Sequence, residues 1–284
     1  MEHLNLFCGD DLSLTEDVTI RHNTLLEIKK CGYDKYYKYM TDMVIEPVDV
    51  ADVLWFEGNV WYEDIKNSWD FFLQRGITES VPKPVGFVND GKLIYVEDNC
   101  LFINESMRDA LNFFLGFDTE YIVLSITKDN TKQNVIYALK WSDEFNLYTL
   151  EKDCFKFTEV FYNITKEYLK DINWFHPKPE PQYDFVHGGN KSAKKYILKQ
   201  VYQQRKRKRE ENVSLESIAS SLVARGQRYK DVLGYPIYVV YNQYYRLVKI
   251  DEYNNTMQAL YSGCLNTKEH PIRWDKINWS SIIK

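Results

Sequence analysis

Two carboxylates stand side by side in Gly9-Asp10-Asp11, the pairing by which some polymerases hold divalent metals. That use needs a hairpin between strands, whereas these aspartates fall in an acidic opening segment, so a solvated turn is the plainer reading. His187-Gly188-Gly189 has the composition of an oxyanion-hole loop, but no GxSxG elbow supplies a nucleophile to serve it. A flexible linker explains it better. The five histidines, His3, His22, His176, His187 and His270, share no metal-ligand spacing. No phosphate-cradling GxxxxGK[ST], no GxGxxG after a strand and no HExxH occurs. The five cysteines, Cys8, Cys31, Cys100, Cys154 and Cys264, form no CxxC pair, and scattered single thiols suit a reducing compartment. These patterns assign no catalytic residue, no cofactor and no metal, so a non-enzymatic protein is expected.

The sharpest electrostatic contrast lies between 191 and 209. Lys191, Lys194, Lys195, Lys199, Arg205, Lys206, Arg207, Lys208 and Arg209 give nine positive charges there, with no acidic side chain among them. Such a stripe can grip phosphates, releasing counterions and making binding salt-sensitive. Tyr196, Ile197, Leu198 and Val201 give the same stretch an apolar face, and no aromatic set is interleaved for base stacking. Two other readings stand beside phosphate binding: a plain solvated helix face, or attraction to an acidic surface of a partner or of the chain itself.

Tyrosines cluster at Tyr33, Tyr36, Tyr37 and Tyr39, and again at Tyr235, Tyr238, Tyr241, Tyr244 and Tyr245. A tyrosine packs its ring and leaves a hydroxyl at the rim, which suits helix seams and interfaces alike. Core packing is the plainer role. Tyr241, Tyr245, Trp274 and Trp279 are the candidate aromatic contacts.

The elements that must carry these residues follow from periodicity. A helical period runs from Ile20 through Leu25, Leu26, Ile28, Tyr36, Tyr37, Met40 and Val44. Pro47 starts a second helix, and Ile65, Trp69, Phe72 and Leu73 share one face of a third, with Gly76 as its C-cap. Beyond Val81-Pro82-Lys83-Pro84, Asn89-Asp90-Gly91 between two apolar runs signals a hairpin. Residues 100–103 suit a third short strand, and Asn104 caps a helix ending at Gly116. Residues 121–126 and 134–139 suit a second antiparallel pair separated by a polar loop. Helical pattern returns at Phe157 and stops before the proline run 177–181, a stiff spacer. A basic helix begins at Lys191, another spans 215–224, and a long helical pattern fills 236–261. In that last stretch Asp251 to Asn255 interrupt the apolar stripe, which predicts two helices. The expected fold is α+β, predominantly α-helical with a β-rich antiparallel insert in the middle. The expected organisation is an acidic segment at 1–17, a helical unit at 18–80 and the insert at 81–150. A helix at 151–175, a Pro/Gly linker at 176–190 and a basic helix plus helical unit at 191–284 complete it.

With 284 residues, 44% hydrophobic and 27% charged, the chain has enough apolar mass for a sizeable core. That composition excludes a disulfide mini-protein, a rod and a disordered tail. The net charge of −5 excludes a generic nucleic-acid binder. Met1-Glu2-His3-Leu4-Asn5 lacks the basic and apolar regions of a signal peptide. No stretch approaches the roughly 20 apolar residues of a spanning helix, so a soluble intracellular protein without membrane contact is expected.

Two stretches resemble a family. Ile20-Arg21-His22-Asn23-Thr24-Leu25-Leu26-Glu27-Ile28, then Gly32, Tyr36-Tyr37, Pro47, Asp49, Leu54 and Trp69-Asp70-Phe71-Phe72, resemble the opening of phage tail-module proteins. Tyr235-Pro236-Ile237-Tyr238, Ala259-Leu260-Tyr261-Ser262-Gly263 and Ile277-Asn278-Trp279 resemble their close. The likeness covers residues 18–75 and 155–284. It implies a tail assembly chaperone or related tail-module protein of a phage of a low-GC bacterium, in the host cytoplasm or the virion. Such proteins are helical, use no cofactor, and bind the tape measure protein while the tail tube polymerises. The chain departs from the pattern at Asp34, where the family places Glu next to Gly, and in its large β-rich stretch.

Overall fold

The structure is a computed structural model that describes residues 6, 8–65, 67–78, 83–128, 131–174, 189–207, 214–264 and 272. It is an α+β protein of mixed helices and sheets. The opening segment is more ordered than its composition suggests: β1 (Leu12–Ser13) pairs antiparallel with β2 (Thr19–Ile20). Helix α1 (Leu25–Cys31) starts at a full capping box, Thr24 with Glu27, so both orphan ends at its N-terminus find partners. The period expected to continue as one helix breaks at Gly32, whose φ of +97° turns the chain into α2 (Tyr33–Val44). A 3-10 turn (Pro47–Val50) leads into α3 (Ala51–Phe56), a second 3-10 turn follows (Tyr62–Asp64), and then α4 (Ser68–Gly76). Gly76 is the last residue of α4 rather than a cap beyond it.

The first hairpin joins β3 (Val85–Asn89) to β4 (Lys92–Glu97) through Asp90 and Gly91, both at positive φ as a type I′ turn requires. Residues 100–103 are not a strand. Phe102 and Ile103 make only isolated bridges, to Ile122 and Ile77. Asn104 accepts the Met107 N–H and caps α5 (Glu105–Leu115), which Gly116 closes. The second hairpin pairs β5 (Tyr121–Lys128) with β6 (Thr131–Ala138), so its strands extend through most of the stretch expected to be loop. Three short strands follow: β7 (Lys140–Ser142), β8 (Leu147–Leu150) and β9 (Lys156–Phe157). Two sheets result, β4-β3-β8-β7 and β5-β6-β9. The first is mixed rather than purely antiparallel, because β3 and β8 run parallel, Val85 opposite Tyr148.

Phe157 closes β9 instead of opening a helix, and Thr158 caps α6 (Glu159–Ile172). Helices α7 (Lys191–Arg207), α8 (Leu215–Ala224), α9 (Tyr229–Gly234) and α10 (Ile237–Tyr261) complete the chain. Helix α10 runs unbroken through 251–255. The Lys249–Glu252 ion pair and the Thr256 hydroxyl on the Glu252 carbonyl carry the backbone across the polar interruption.

One apolar core gathers residues from Leu6 to Tyr241, including β2, α1, α2, α4, α5, β5, β6, α6 and α8 to α10. It is dense in rings: Trp69 stacks on Phe72 at 5.6 Å and Phe72 meets Tyr162 at 4.7 Å. Such pairs add roughly 0.5–1.5 kcal/mol beyond the area they bury. Helix α5, from within the β-rich stretch, packs on α2 in this core. The mixed sheet covers a smaller cluster of Val85, Cys100, Phe102, Ile122 and Leu139. A third cluster, Ala51, Tyr62 and Leu198, joins α3 to α7.

Candidate functional site

The basic helix α7 is docked on its own chain. Leu198 and Val201, three apart on one helical face, are both buried. Leu198 packs with Ala51 and Tyr62, and Leu54, Trp55, Phe56, Trp61 and Ile197 close around them. Trp55 and Trp61 pack at 4.1 Å, and Tyr202 lies 5.2 Å from Phe56. Acidic residues of 57–63 meet the helix at its rim. Lys194 pairs with the Glu63 carboxylate, and the Tyr202 hydroxyl donates to Glu57 over 3.3 Å. The Lys195 ammonium sits 5.7 Å above the Trp55 ring. Burial outweighs charge in this contact. Each fully buried aliphatic side chain contributes about 1.5–3 kcal/mol, and the Lys194–Glu63 pair, with its glutamate partly in water, adds to this at one edge.

The sequence-derived cations therefore divide. Lys194 is buried and ion-paired within the chain. Lys191, Lys195 and Lys199 are exposed and recur every fourth residue along α7, with the Lys195 ammonium lying over the Trp55 ring of α3. Arg205, Lys206 and Arg207 lie in the last turn of α7, and Lys208 and Arg209 lie outside the described residues.

The aromatic candidates divide as well. Tyr241 is a core residue, 8% exposed, its hydroxyl 3.2 Å from that of Tyr37. Burial raises its pKa above the ordinary tyrosine value. It offers no surface to a partner, because the helical stripe it shares with Ile237 and Val240 faces the core. Tyr245 is 40% exposed and stacks on Trp174 at 5.0 Å, with Trp174 held at φ +53°. Trp274 and Trp279 lie outside the described residues.

The paired aspartates have a structural job. Asp11 accepts the His22 backbone N–H at 2.7 Å, and the Asp10 carbonyl accepts the Tyr168 hydroxyl at 2.8 Å. They tie the β1–β2 hairpin to α6. Neither ring nitrogen of the buried His22 has a hydrogen-bond partner among the described residues, and burial lowers its pKa to about 4 against the pull of Asp11 and Asp10. Burial pushes the Cys100 thiol up to about 11 and also raises that of Cys154, which leaves both less reactive. Among the described residues no group of three or more His, Cys, Asp or Glu is placed to hold a metal ion. Of the sequence's oxyanion-like loop, His187 and Gly188 lie outside the described residues.

Sequence reasoning missed two surface depressions. One, of about 540 Å³, lies where the chain passes from β6 into β7, between Phe117, Trp141 and Phe155. The other, of about 510 Å³, lies between α1, α2 and α5 and is lined by Arg21, Lys30 and Phe113. Phe117 and Asp118 border both. Each is assembled from short pieces far apart in the chain, and no local pattern announces such a set.

The chain is thus an α+β protein with a ring-rich core and a run of exposed lysines on α7. Residues 205–284, which take in the end of α7 and all of α8, α9 and α10, match the family model described as the YomV second domain. YomV is a Bacillus phage protein and the family is phage-derived, which supports a phage origin for this chain. No curated protein and no solved structure matches. No helix among the described residues is long and apolar enough to cross a membrane.

Proposed function

We propose that this chain is a phage protein of the tail-assembly kind, chaperone-like or a structural module, which acts by binding other phage proteins without making or breaking bonds. The match of 205–284 to a phage-derived family carries the reading. The exposed cations Lys191 and Lys199, held on a docked helix, support it by offering a preorganised positive face to an acidic partner. The tape measure or tail tube protein is the expected partner, with the host cytoplasm or the virion as its place and no cofactor required. Affinity capture of the tagged chain from infected cells, under washing that preserves ionic contacts, tests this. Retention of either protein supports the reading; retention of neither ends it.

A second reading draws on the same lysines together with the run Arg205 to Arg209, which continues the positive charge in sequence. As a nucleic-acid-associated accessory, the protein would bind DNA or RNA with an affinity falling steeply as salt rises. Neutralising Arg205 to Arg209 would flatten that slope. A slope unchanged by the substitutions removes this reading.

A further inference from the structure

The groove beside Trp141 joins an aromatic wall to an acidic rim. Its floor is apolar: Val18, Ala138, Leu139 and Cys154 are all buried there. Phe117 and Phe155 stand 5.5 Å apart along one side. Trp141, 52% exposed, stands at the end, its ring held by an indole N–H donated to Asp143 at 3.0 Å and by an edge contact to Tyr148 at 5.1 Å. Around the rim Asp17, Asp118 and Asp153 are exposed, and none is hydrogen-bonded or ion-paired among the described residues. The one cation of this lining, Lys140, is matched by Glu151 at 2.7 Å, so carboxylates outnumber cations within the groove, while Asp118 also borders the depression lined by Arg21 and Lys30.

Rings beside carboxylates favour a lysine or arginine. A cation over an exposed aromatic face gains roughly 0.5–1 kcal/mol, and more where water is excluded. The chain uses this arrangement internally, where Lys195 covers Trp55 and Lys194 pairs with Glu63 as α7 docks on α3. A volume of about 540 Å³ falls within the range of ordinary ligand sites. We infer that this groove is a docking site for a lysine- or arginine-bearing segment of another protein, its basic side chains entering between Trp141 and the aspartates. The groove lies on different elements from the exposed lysines of α7, so the inference stands whether or not tape measure or tube protein is the partner of those lysines.

Fluorescence anisotropy on the full chain tests this, with a labelled dodecapeptide alternating arginine and leucine and a second with glutamate in place of arginine. Saturable binding of the arginine peptide is expected. The triple variant Asp17→Asn, Asp118→Asn, Asp153→Asn should weaken it roughly tenfold or more, and Trp141→Ala severalfold. All four positions are exposed, so unchanged melting temperatures should accompany both losses. Absence of saturable binding, equal binding by the triple variant, or a glutamate-peptide signal lost in the same variant would each overturn the inference. Displacement of the peptide by spermidine at equal concentration would also overturn it, marking an unspecific cation trap.

Discussion

The hydroxyl of Tyr36 donates to Oδ1 of Asn173 across 2.6 Å, with both residues buried and 137 positions apart. The bond ties the first turn of α2 to the residue that caps the end of α6. The Asn173 amide in turn donates to the Leu169 carbonyl at 2.9 Å, so the α6 terminus is closed by the same side chain.

Tyr36→Phe removes the donor but keeps the ring, leaving a buried amide oxygen without its partner. The substitution should lower unfolding stability by about 1–3 kcal/mol. Denaturant titration measures it, and an unchanged midpoint would show that water replaces the bond.

His22 predicts a pH dependence. The unfolded chain takes up a proton near the ordinary value of 6.5, the folded chain only near pH 4. Its contribution is therefore fully present above about 6.5 and drains away as the pH falls toward 4. The loss should reach about 3 kcal/mol, and His22→Leu should flatten that part of the stability profile. Thermal melts from pH 7 to 4 on both proteins provide the check.

Two glycines at similar positive φ separate strain from crowding. Gly91, at φ +73° in the hairpin turn, has open space where a Cβ would lie. Gly9, at φ +77°, has the Pro236 ring there. Gly91→Ala should cost about 1 kcal/mol, and Gly9→Ala distinctly more, because the added methyl must also displace the proline that opens α10. Paired chemical denaturation curves settle the order.

Leu198 should hold α7 in place more strongly than its ion pair does. Leu198→Ala removes a fully buried side chain and should cost roughly 2–5 kcal/mol of the docking. Glu63→Gln should cost less, since the Glu63 side chain is 40% exposed and glutamine still offers an oxygen to the Lys194 ammonium. Hydrogen exchange read at 191–204 compares them directly, and greater exposure in the glutamine variant would reverse the assignment.

Features that depend on a few neighbouring residues are readable without coordinates. Asp90-Gly91 specifies its hairpin because both residues tolerate positive φ, and Asn104 and Gly116 bound α5 because cap chemistry acts within one turn. Phe157 shows where such reading stops. Its spacing fits the helix that follows, yet it pairs with Ile136 in a strand, because the core between Trp69 and Phe72 takes its ring from that side.

Local chemistry along the chain thus determined the α+β class, the starts of α5, α7, α8 and α10, both hairpins, and a basic segment with one apolar face. Tertiary structure alone decided that β3 and β8 run parallel, that Lys194 is spent on Glu63 and Lys195 covers Trp55 while Lys191 and Lys199 stay exposed, and that Tyr241 lies inside. It alone brought Asp17, Asp118, Trp141 and Asp153 around one groove. Periodicity states which face of an element is apolar, but which distant surface covers that face depends on the packing of the whole chain.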